Sequence, residues 1–263
     1  MPPEAVELRP TIDRAWLESA AAADPITHAY ALWDLDRLPS QVRFVSALRD
    51  GKTLGYLLTW QSPGRPPTVH WVAPPLPEIA SALPPRPFIF VGPEEVRPLI
   101  HRIRGPCVDL TVLVEAAPLG ATPGPSALDA RVRRLTREHM EELGELVRSS
   151  NDPLVQGYAG LDPGPEVVFG VFEGRQIVAI ASASVRRSSV WFISGVFVRP
   201  AHRGRGWGGA VVRAVMAEAA RAGAPCALFV REDRADARAV YDGLGFHPVA
   251  RRAWLDCGTG RTI

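Results

Sequence analysis

The sequence predicts a mixed α/β fold, and three observations support this prediction. Apolar runs of strand length alternate with amphipathic stretches of helix length along the chain. Glu173-Gly174-Arg175 separates two apolar runs and is typical of a hairpin turn. A glycine-rich segment, residues 204–209, connects a further apolar run to a helical stretch. Together these patterns indicate hairpins combined with at least one strand–turn–helix unit.

The bulk properties describe a globular protein of two domain-sized halves. The chain has 263 residues, 46% of them hydrophobic and 22% charged. Its net charge of +2 gives no electrostatic attraction toward nucleic acid. Residues 116–130 hold three prolines and two glycines, which bury little and favour extended chain. We therefore expect a linker there, between domains at 1–115 and 131–263.

The first half is predicted to contain two helices, a hairpin, and then a strand, a helix and a strand. Asp24-Pro25 separates the two helices, and Asp50-Gly51 marks the hairpin turn. The helices are predicted at 12–23 and 26–38, the hairpin strands at 42–48 and 53–60, and the last three elements at 88–91, 94–103 and 108–115.

The second half begins with a short strand and a helix that Thr136 can cap. A loop rich in Gly, Asp and Pro follows at 151–165. Gly223 and Pro225 end a later helix. Strands are predicted at 131–134, 167–172, 176–185, 190–198, 227–230 and 247–256 (the last as one or two strands), and helices at 137–149, 206–222 and 235–244.

The three cysteines, Cys107, Cys226 and Cys257, are odd in number and widely spaced, so the sequence indicates neither a disulfide framework nor a zinc site. No two histidines have the i, i+4 spacing of a helical metal site, so no metal is expected. The N-terminus lacks the pattern of a signal peptide, and no apolar run approaches the length of a membrane span. We therefore expect a cytoplasmic protein without a membrane partner.

Residues 196–209 predict an anion site. They read Val-Phe-Val-Arg-Pro-Ala-His-Arg-Gly-Arg-Gly-Trp-Gly-Gly, so a strand is followed by a turn, a glycine-rich basic segment and a helix. Glycines allow several backbone N–H groups to point into one hollow, and the helix adds its positive end. Arg203 and Arg205 supply charge beside it. A ligand with a pyrophosphate group fits this arrangement.

The same glycines are also compatible with a different ligand, NAD. Gly204-x-Gly206-x-x-Gly209 also fits the dinucleotide fingerprint, with Glu232 and Asp233 at about the distance of a ribose-binding acid. That fingerprint needs its first glycine at the end of the strand, whereas residues 199–203 intervene here. The spacing therefore favours another pyrophosphate ligand over NAD.

Two motifs in this order resemble the GNAT superfamily of CoA-dependent N-acetyltransferases. They are Arg203-x-x-Gly206-x-Gly208 after a strand and Tyr241-x-x-Leu244-Gly245-Phe246 downstream. The segment 132–139 also resembles the family's opening strand and first helix cap, so the resemblance covers roughly residues 130–257. It implies a mixed, mostly antiparallel central sheet flanked by helices. The strand–helix–strand order of the first half indicates a degenerate copy of this fold, and tandem halves occur in the superfamily.

The resemblance implies transfer of an acetyl group from acetyl-CoA to a primary amine, by direct attack in a ternary complex and without a metal. The acceptor is a small molecule, a peptide or protein N-terminus, or a lysine, and the protein is expected to be a monomer or homodimer. Tyr241 would protonate the departing thiolate; alternatively it is a core aromatic. The residues expected to contact the cofactor are Val196, Phe197, Val198, Arg203, Gly204, Arg205, Gly206, Trp207, Gly208, Gly209, Arg234 and Tyr241.

The chain departs from the family at two points. Many members carry a carboxylate on the central strand that takes the proton of the amine, but the nearest positions here are Ser194 and Gly195. Glu166 and Asp152 are the alternative bases, or water serves instead. Arg234 stands where many relatives have asparagine, and it would reach a phosphate or lie on the surface. The missing base leaves a second function open, that of a CoA-binding or regulatory module without catalysis.

Overall fold

The computed structural model describes residues 5–61, 64–121, 126 and 128–260. The chain divides into two compact units: residues up to Leu113 join those from Ala250 onward in the first, and Val114–Val249 form the second. Both boundaries fall inside strands. The predicted domains at 1–115 and 131–263 stay a prediction, and residues 122–125 and 127 of the predicted linker lie outside the described residues.

The first unit contains a sheet with helices on both faces. Its elements are β1 (Glu7–Arg9), α1 (Arg14–Ala23), α2 (Pro25–Arg37), β2 (Val42–Arg49), β3 (Lys52–Trp60), β4 (Thr68–Val72), β5 (Phe88–Gly92), α3 (Arg97–Arg104) and the start of β6 (Val108–Ala117). Strands β1 to β5 pair in chain order, and the C-terminal part of β12 (His247–Cys257) pairs with β5. The β4–β5 pair is parallel and the others are antiparallel.

Local caps explain where the first two helices begin. The side chains of Asp13 and Asp24 accept hydrogen bonds from the backbone N–H groups of Trp16 and Thr27, and Pro25 occupies the first turn of α2. Each face of the sheet then buries its own apolar cluster. The cluster with α1 and α2 comprises Leu17, Ala21, Ala31, Leu32, Phe44, Tyr56 and Leu58; the opposite cluster includes Trp71, Ile79, Phe88, Phe90, Ile100 and Leu255.

The second unit repeats this type of architecture. Its elements are β7 (Val132–Arg134), α4 (Met140–Arg148), α5 (Pro153–Gln156), β8 (Val167–Glu173), β9 (Gln176–Arg187), β10 (Val190–Val198), α6 (Trp207–Arg221), β11 (Cys226–Arg231) and α7 (Ala235–Asp242). Strands β7 to β11 pair in chain order, antiparallel except for the parallel β10–β11 pair. The predicted mixed, mostly antiparallel sheet flanked by helices is confirmed.

The two units differ at the connection between their parallel strands. In the first unit the chain passes from β4 to β5 through a short 3-10 turn, Ile79–Ala82. In the second unit the 15-residue helix α6 follows the glycine-rich segment and connects β10 to β11. The predicted strand–helix–strand order of the first half is confirmed as β5, α3 and β6. The helix preceded by the predicted anion site therefore belongs to the second unit.

Short elements account for most differences from the sequence prediction. Strands β1 and β4 were not predicted, and the loop at 151–165 contains α5. The helices predicted at 94–103 and 137–149 each begin as a 3-10 turn. The predicted cap of the second holds, since Thr136 and His139 form a reciprocal capping box. The last element, β12, is one strand.

The expectation of no disulfide is wrong for one pair. Cys107 and Cys257 are bonded, 150 residues apart in sequence, while Cys226 is a buried free thiol. Sequence spacing missed this pair because Cys107, which directly precedes β6, and Cys257, the last residue of β12, are distant along the chain and meet only after folding. Disulfides are rare in the cytosol, so the expected cytoplasmic location stays a prediction. Among the described residues, no helix is long and apolar enough to span a bilayer.

Candidate active site

The glycine-rich segment forms a turn between β10 and α6. After β10 ends at Val198, a 3-10 turn at Pro200–His202 precedes the first glycine. Gly204 and Gly206 then adopt positive φ angles of 72° and 80°, which residues other than glycine rarely adopt. Helix α6 begins at the next residue, Trp207. The 3-10 turn occupies the position where a dinucleotide fingerprint requires direct contact between strand and glycine, so the geometry disfavours NAD.

The start of α6 carries hydrogen-bond donors that have no acceptor among the described residues, and two arginines lie nearby. The first N–H groups of a helix have no intrahelical acceptor, and α6 begins here without a side-chain cap. Trp207 is 4% exposed, and its buried indole N–H also lacks an acceptor among the described residues. Arg203 is exposed and donates to the carbonyl of Val198, and Arg205 lies 3.5 Å from Glu173. This combination of buried orphan donor, helix N-terminus and cations fits an anionic group.

Strands β10 and β11 separate next to this turn. Their parallel register runs from Trp191–Cys226 to Ile193–Leu228 and ends there, although the strands continue to Val198 and Arg231. Beyond Ile193, the edge of β10 that faces β11 therefore has backbone groups without a cross-strand partner among residues that the structure describes. An extended ligand that starts at the glycine turn can lie along this open edge and bond to the backbone of residues 196–198.

A β-bulge interrupts β10 directly after its pairing with β11 ends. The pairing with β9 shifts between Ser194 and Phe197, which places one extra residue on β10. Gly195 lies in the bulge with φ of 62°. Tyr158, which is 3% exposed, donates its hydroxyl to the carbonyl of Gly195 at 2.8 Å. A Cβ atom on residue 195 would lie 2.4 Å from this hydroxyl, so Tyr158 occupies the space that a side chain would need.

Tyr241 lies in the last turn of α7 and is 8% exposed. Its ring contacts Phe246 edge to face, and its backbone carbonyl accepts from the N–H groups of Leu244 and Phe246. Gly245 makes this stop possible with φ of 85°. The Tyr-x-x-Leu-Gly-Phe motif therefore has a structural role as a helix stop. Burial and the nearby Glu115 raise the pKa of Tyr241 to about 12, so its phenol is protonated at neutral pH.

Glu115 is a buried carboxyl that the sequence analysis did not single out. It lies on β6, is 3% exposed, and has one oxygen without a hydrogen-bond partner in the described part of the chain. The Nε atom of Arg238, one turn before Tyr241 on α7, lies 3.7 Å from its other oxygen. Burial is the main factor that raises the pKa of Glu115, and the Arg238 charge opposes it. A glutamate within the apolar run Val112-Leu-Val-Glu-Ala-Ala is the sequence signal that could have identified it.

Replacing Glu115 by glutamine should lower the pKa of Tyr241. The carboxylate is ionised throughout the alkaline range in which a phenol titrates, so its removal takes a negative charge away from the tyrosinate and stabilises that form. We expect the tyrosinate absorbance transition of Tyr241, taken as the difference from Tyr241→Phe, to move to lower pH in Glu115→Gln. Glu145→Gln, which removes a partner of Arg199, is the control and should leave this transition in place.

Two of the predicted site residues, Glu166 and Arg234, form ion pairs with other side chains. Glu166 lies 3.2 Å from Arg186, so this weak candidate base is paired with a cation. Arg234 forms two hydrogen bonds to Asp236, both 2.8 Å long, and these hold the pKa of Asp236 at about 2. Arg234 therefore lies on the surface in the free protein and would have to leave Asp236 to reach a phosphate. The described residues contain no group of three or more His, Cys, Asp or Glu that could hold a metal.

Comparisons with known proteins agree with this geometry. Residues 132–246 match the model of the acetyltransferase (GNAT) family. A search of curated protein sequences finds no match. Several solved structures share the fold at low sequence identity.

Three of these structures cover almost the whole chain. A Drosophila protein has a TM-score of 0.71 at 14% identity, over 94% of this chain and 97% of its own. A GCN5-related N-acetyltransferase from Sphaerobacter thermophilus has a TM-score of 0.60 at 16% identity, over 95% and 94%. A tandem GNAT protein from the clavulanic acid biosynthesis pathway has a TM-score of 0.58 at 14% identity, over 98% and 100%. With the glycine turn, the separated strands and the family match in the same segment, residues 132–246 form a domain of the acetyltransferase (GNAT) family.

Proposed function

We propose that this protein transfers an acetyl group from acetyl-CoA to a primary amine by direct attack in a ternary complex. The family and the fold support acyl transfer in general. The observation that carries the proposal is the adjacency of the glycine turn, at residues 203–209, to the open edge of β10. Acetyl-CoA has the matching shape, since a pyrophosphate continues into an extended amide-containing arm.

The cofactor would be held by backbone groups more than by side chains. The N–H groups at the start of α6, the indole of Trp207 and the guanidinium groups of Arg203 and Arg205 would bind the pyrophosphate. The glycines keep the turn free of Cβ atoms, so the phosphates can approach the backbone. The open edge of β10 at residues 196–198 would bind the amides of the arm. The acyl group would then lie near the bulge at Gly195.

Catalysis would depend on the position of the amine, on backbone hydrogen-bond donors and on one proton donor, Tyr241. Bound acetyl-CoA supplies an activated thioester carbonyl. Backbone N–H groups near Val196 and Phe197 would stabilise the negative charge that develops on the carbonyl oxygen. Holding the amine next to the thioester removes much of the entropic barrier of a bimolecular reaction. The protonated phenol of Tyr241 would donate to the thiolate as it leaves.

Replacing Tyr241 by phenylalanine tests its role as a proton donor. The variant keeps the ring packing against Phe246 and removes one hydroxyl. General acid catalysis contributes about 10²–10⁴-fold, and a thiolate is a fair leaving group because the reference pKa of a thiol is about 8.5. We therefore expect kcat to fall by roughly 10- to 100-fold at saturating acetyl-CoA, with little change in the affinity for acetyl-CoA. An unchanged kcat would assign Tyr241 to packing and to the helix stop.

A module that binds CoA without catalysis is the second candidate. The pairing of Glu166 with Arg186 favours it, because this carboxylate is less available as a base. Calorimetry with CoA and thiol-release assays with a panel of primary amines separate the two candidates. Binding of CoA without acylation of any amine would support the module. The acceptor's identity and the oligomeric state, a monomer or homodimer, remain proposals.

A further inference from the structure

We propose that the acceptor amine reacts as the free base, deprotonated in water before it binds, and that the acceptor class is therefore amines of low pKa, such as α-amino groups, in preference to lysine side chains. The inference rests on the proposed function and names the acceptor class of the same site.

The bulge is lined by a chain of neutral hydroxyl groups. The hydroxyl of Tyr158 donates to the carbonyl of Gly195 and lies 3.4 Å from the Oγ atom of Ser182. The Oγ atom of Ser182 lies 3.2 Å from both the carbonyl and the Oγ atom of Ser194. Ser182 is 8% exposed, whereas Ser194 is only partly buried. Ser194 is therefore the member of this chain that a ligand on the open edge of β10 can contact.

These hydroxyls cannot accept the proton of an ammonium group at neutral pH. A protonated serine hydroxyl is not a base in this range, and burial raises the pKa of Tyr158 further above its ordinary value. The Ser182 hydrogen bond opposes this increase, and no charged group contributes to it. The space beside Gly195 is occupied by Tyr158, so the bulge has no room for a carboxylate on residue 195. Ser194 can instead accept a hydrogen bond from a neutral amine.

The carboxylates of α4, of residues 162–166 and of β8 lie against basic side chains. On α4, Glu145 binds Arg199, and Glu141 and Glu142 bind Arg175. In the loop before β8, Asp162 binds Arg137 and Glu166 binds Arg186. On β8, Glu173 binds His202 and lies near Arg205. Asp152 and Glu166, the two bases considered from the sequence, can each be removed by an isosteric amide substitution.

The bonds and protons of the acetyl transfer then balance without a base from the protein. The nitrogen lone pair of the neutral amine forms the C–N bond at the acetyl carbonyl, the C–S bond breaks, and the thiolate takes the proton of Tyr241. The nitrogen releases its extra proton to water, and water returns one proton to Tyr241. The rate therefore follows the fraction of acceptor that is already neutral. At pH 7.5 about a third of an α-amino group, with a pKa near 7.8, is neutral, compared with about 0.1% of a lysine side chain with a pKa near 10.4.

The test measures kcat/KM against pH, from 6 to 11, for two small amines at saturating acetyl-CoA. Alaninamide presents an α-amino group, and N-acetyl-lysine amide presents an ε-amino group. We expect the acid limb of each profile to lie at the pKa of that amine, so that the α-amine is favoured by roughly 100-fold or more at pH 7.5. Above both pKa values this preference should disappear. An acid limb at the same pH for both amines would overturn the proposal. Loss of the acid limb in Asp152→Asn, Glu166→Gln or Glu115→Gln would overturn it as well.

Ser194→Asp provides the converse variant, with Ser194→Asn as its uncharged control of the same size. The new carboxylate should take the proton of the amine and give both substrates a shared acid limb at lower pH, whereas the asparagine variant should keep two separate limbs. If CoA binds by calorimetry but neither amine is acylated, the free-amine proposal fails while the cofactor site stands. If CoA does not bind, the proposed function itself fails.

Discussion

Gly206→Val should abolish CoA binding, with the dissociation constant rising by more than 100-fold. Gly206 precedes the first residue of α6 with φ of 80°, a conformation that a β-branched residue disfavours strongly. A Cβ atom there would lie 2.8 Å from a methyl group of Leu128. The valine would therefore deform the turn whose backbone N–H groups are expected to bind the pyrophosphate. Isothermal calorimetry with CoA measures the loss.

Gly174→Val is the matched control for this experiment. Gly174 forms the hairpin turn between β8 and β9 with φ of 59°, and a Cβ atom at this position would meet no described residue within 4 Å apart from its chain neighbours. The two variants thus introduce similar backbone strain, of about 1–2 kcal/mol, but only Gly206 lies in the turn that is proposed to bind the pyrophosphate. We expect Gly174→Val to bind CoA normally. Unchanged CoA affinity in Gly206→Val would contradict the proposed cofactor site. If the unmodified protein bound NAD with micromolar affinity and did not bind CoA, NAD would replace CoA as the proposed ligand.

Reduction of the Cys107–Cys257 disulfide should destabilise the first unit by about 2–5 kcal/mol. The bond joins residues 150 positions apart, so it closes a long loop and restricts the unfolded chain more than a short one would. It also connects the last residue of β12 to the residue that precedes β6, both within this unit. Urea unfolding with and without reductant measures the difference in free energy of unfolding.

The variant Cys107→Ser with Cys257→Ser identifies the bond responsible. Reductant should shift the unfolding midpoint of the natural protein but leave that of the double variant unchanged. The free thiol of Cys226 is buried, and burial raises its pKa to about 12, so it should react slowly and contribute nothing to this shift. A midpoint that reductant does not move in either protein would show that the bond adds no stability.

The sequence by itself determined the elements with strong local signals. The strand at 190–198 was predicted to the residue, and the glycine turn before α6 was recognised because positive φ angles require glycine. The helix capped by Thr136 and the hairpin at Gly174 follow from residues adjacent in the chain. Apolar period and turn chemistry act over a few residues, and this is why sequence alone could predict them. The short strands β1 and β4 carry too few residues to show such a period.

The tertiary structure decided which distant residues share a site. Only folding brings Glu115 of β6 next to Arg238 and Tyr241 of α7, and only folding places Tyr158 in the space beside Gly195. The same holds for Cys107 and Cys257, which no spacing rule connects. These contacts depend on strand order and on where each helix packs, which are set by the burial of whole apolar faces rather than by neighbouring residues. The glycine turn and the helix after it could therefore be predicted from the sequence, whereas the contacts of Glu115, Tyr158 and Cys107 with distant residues could not.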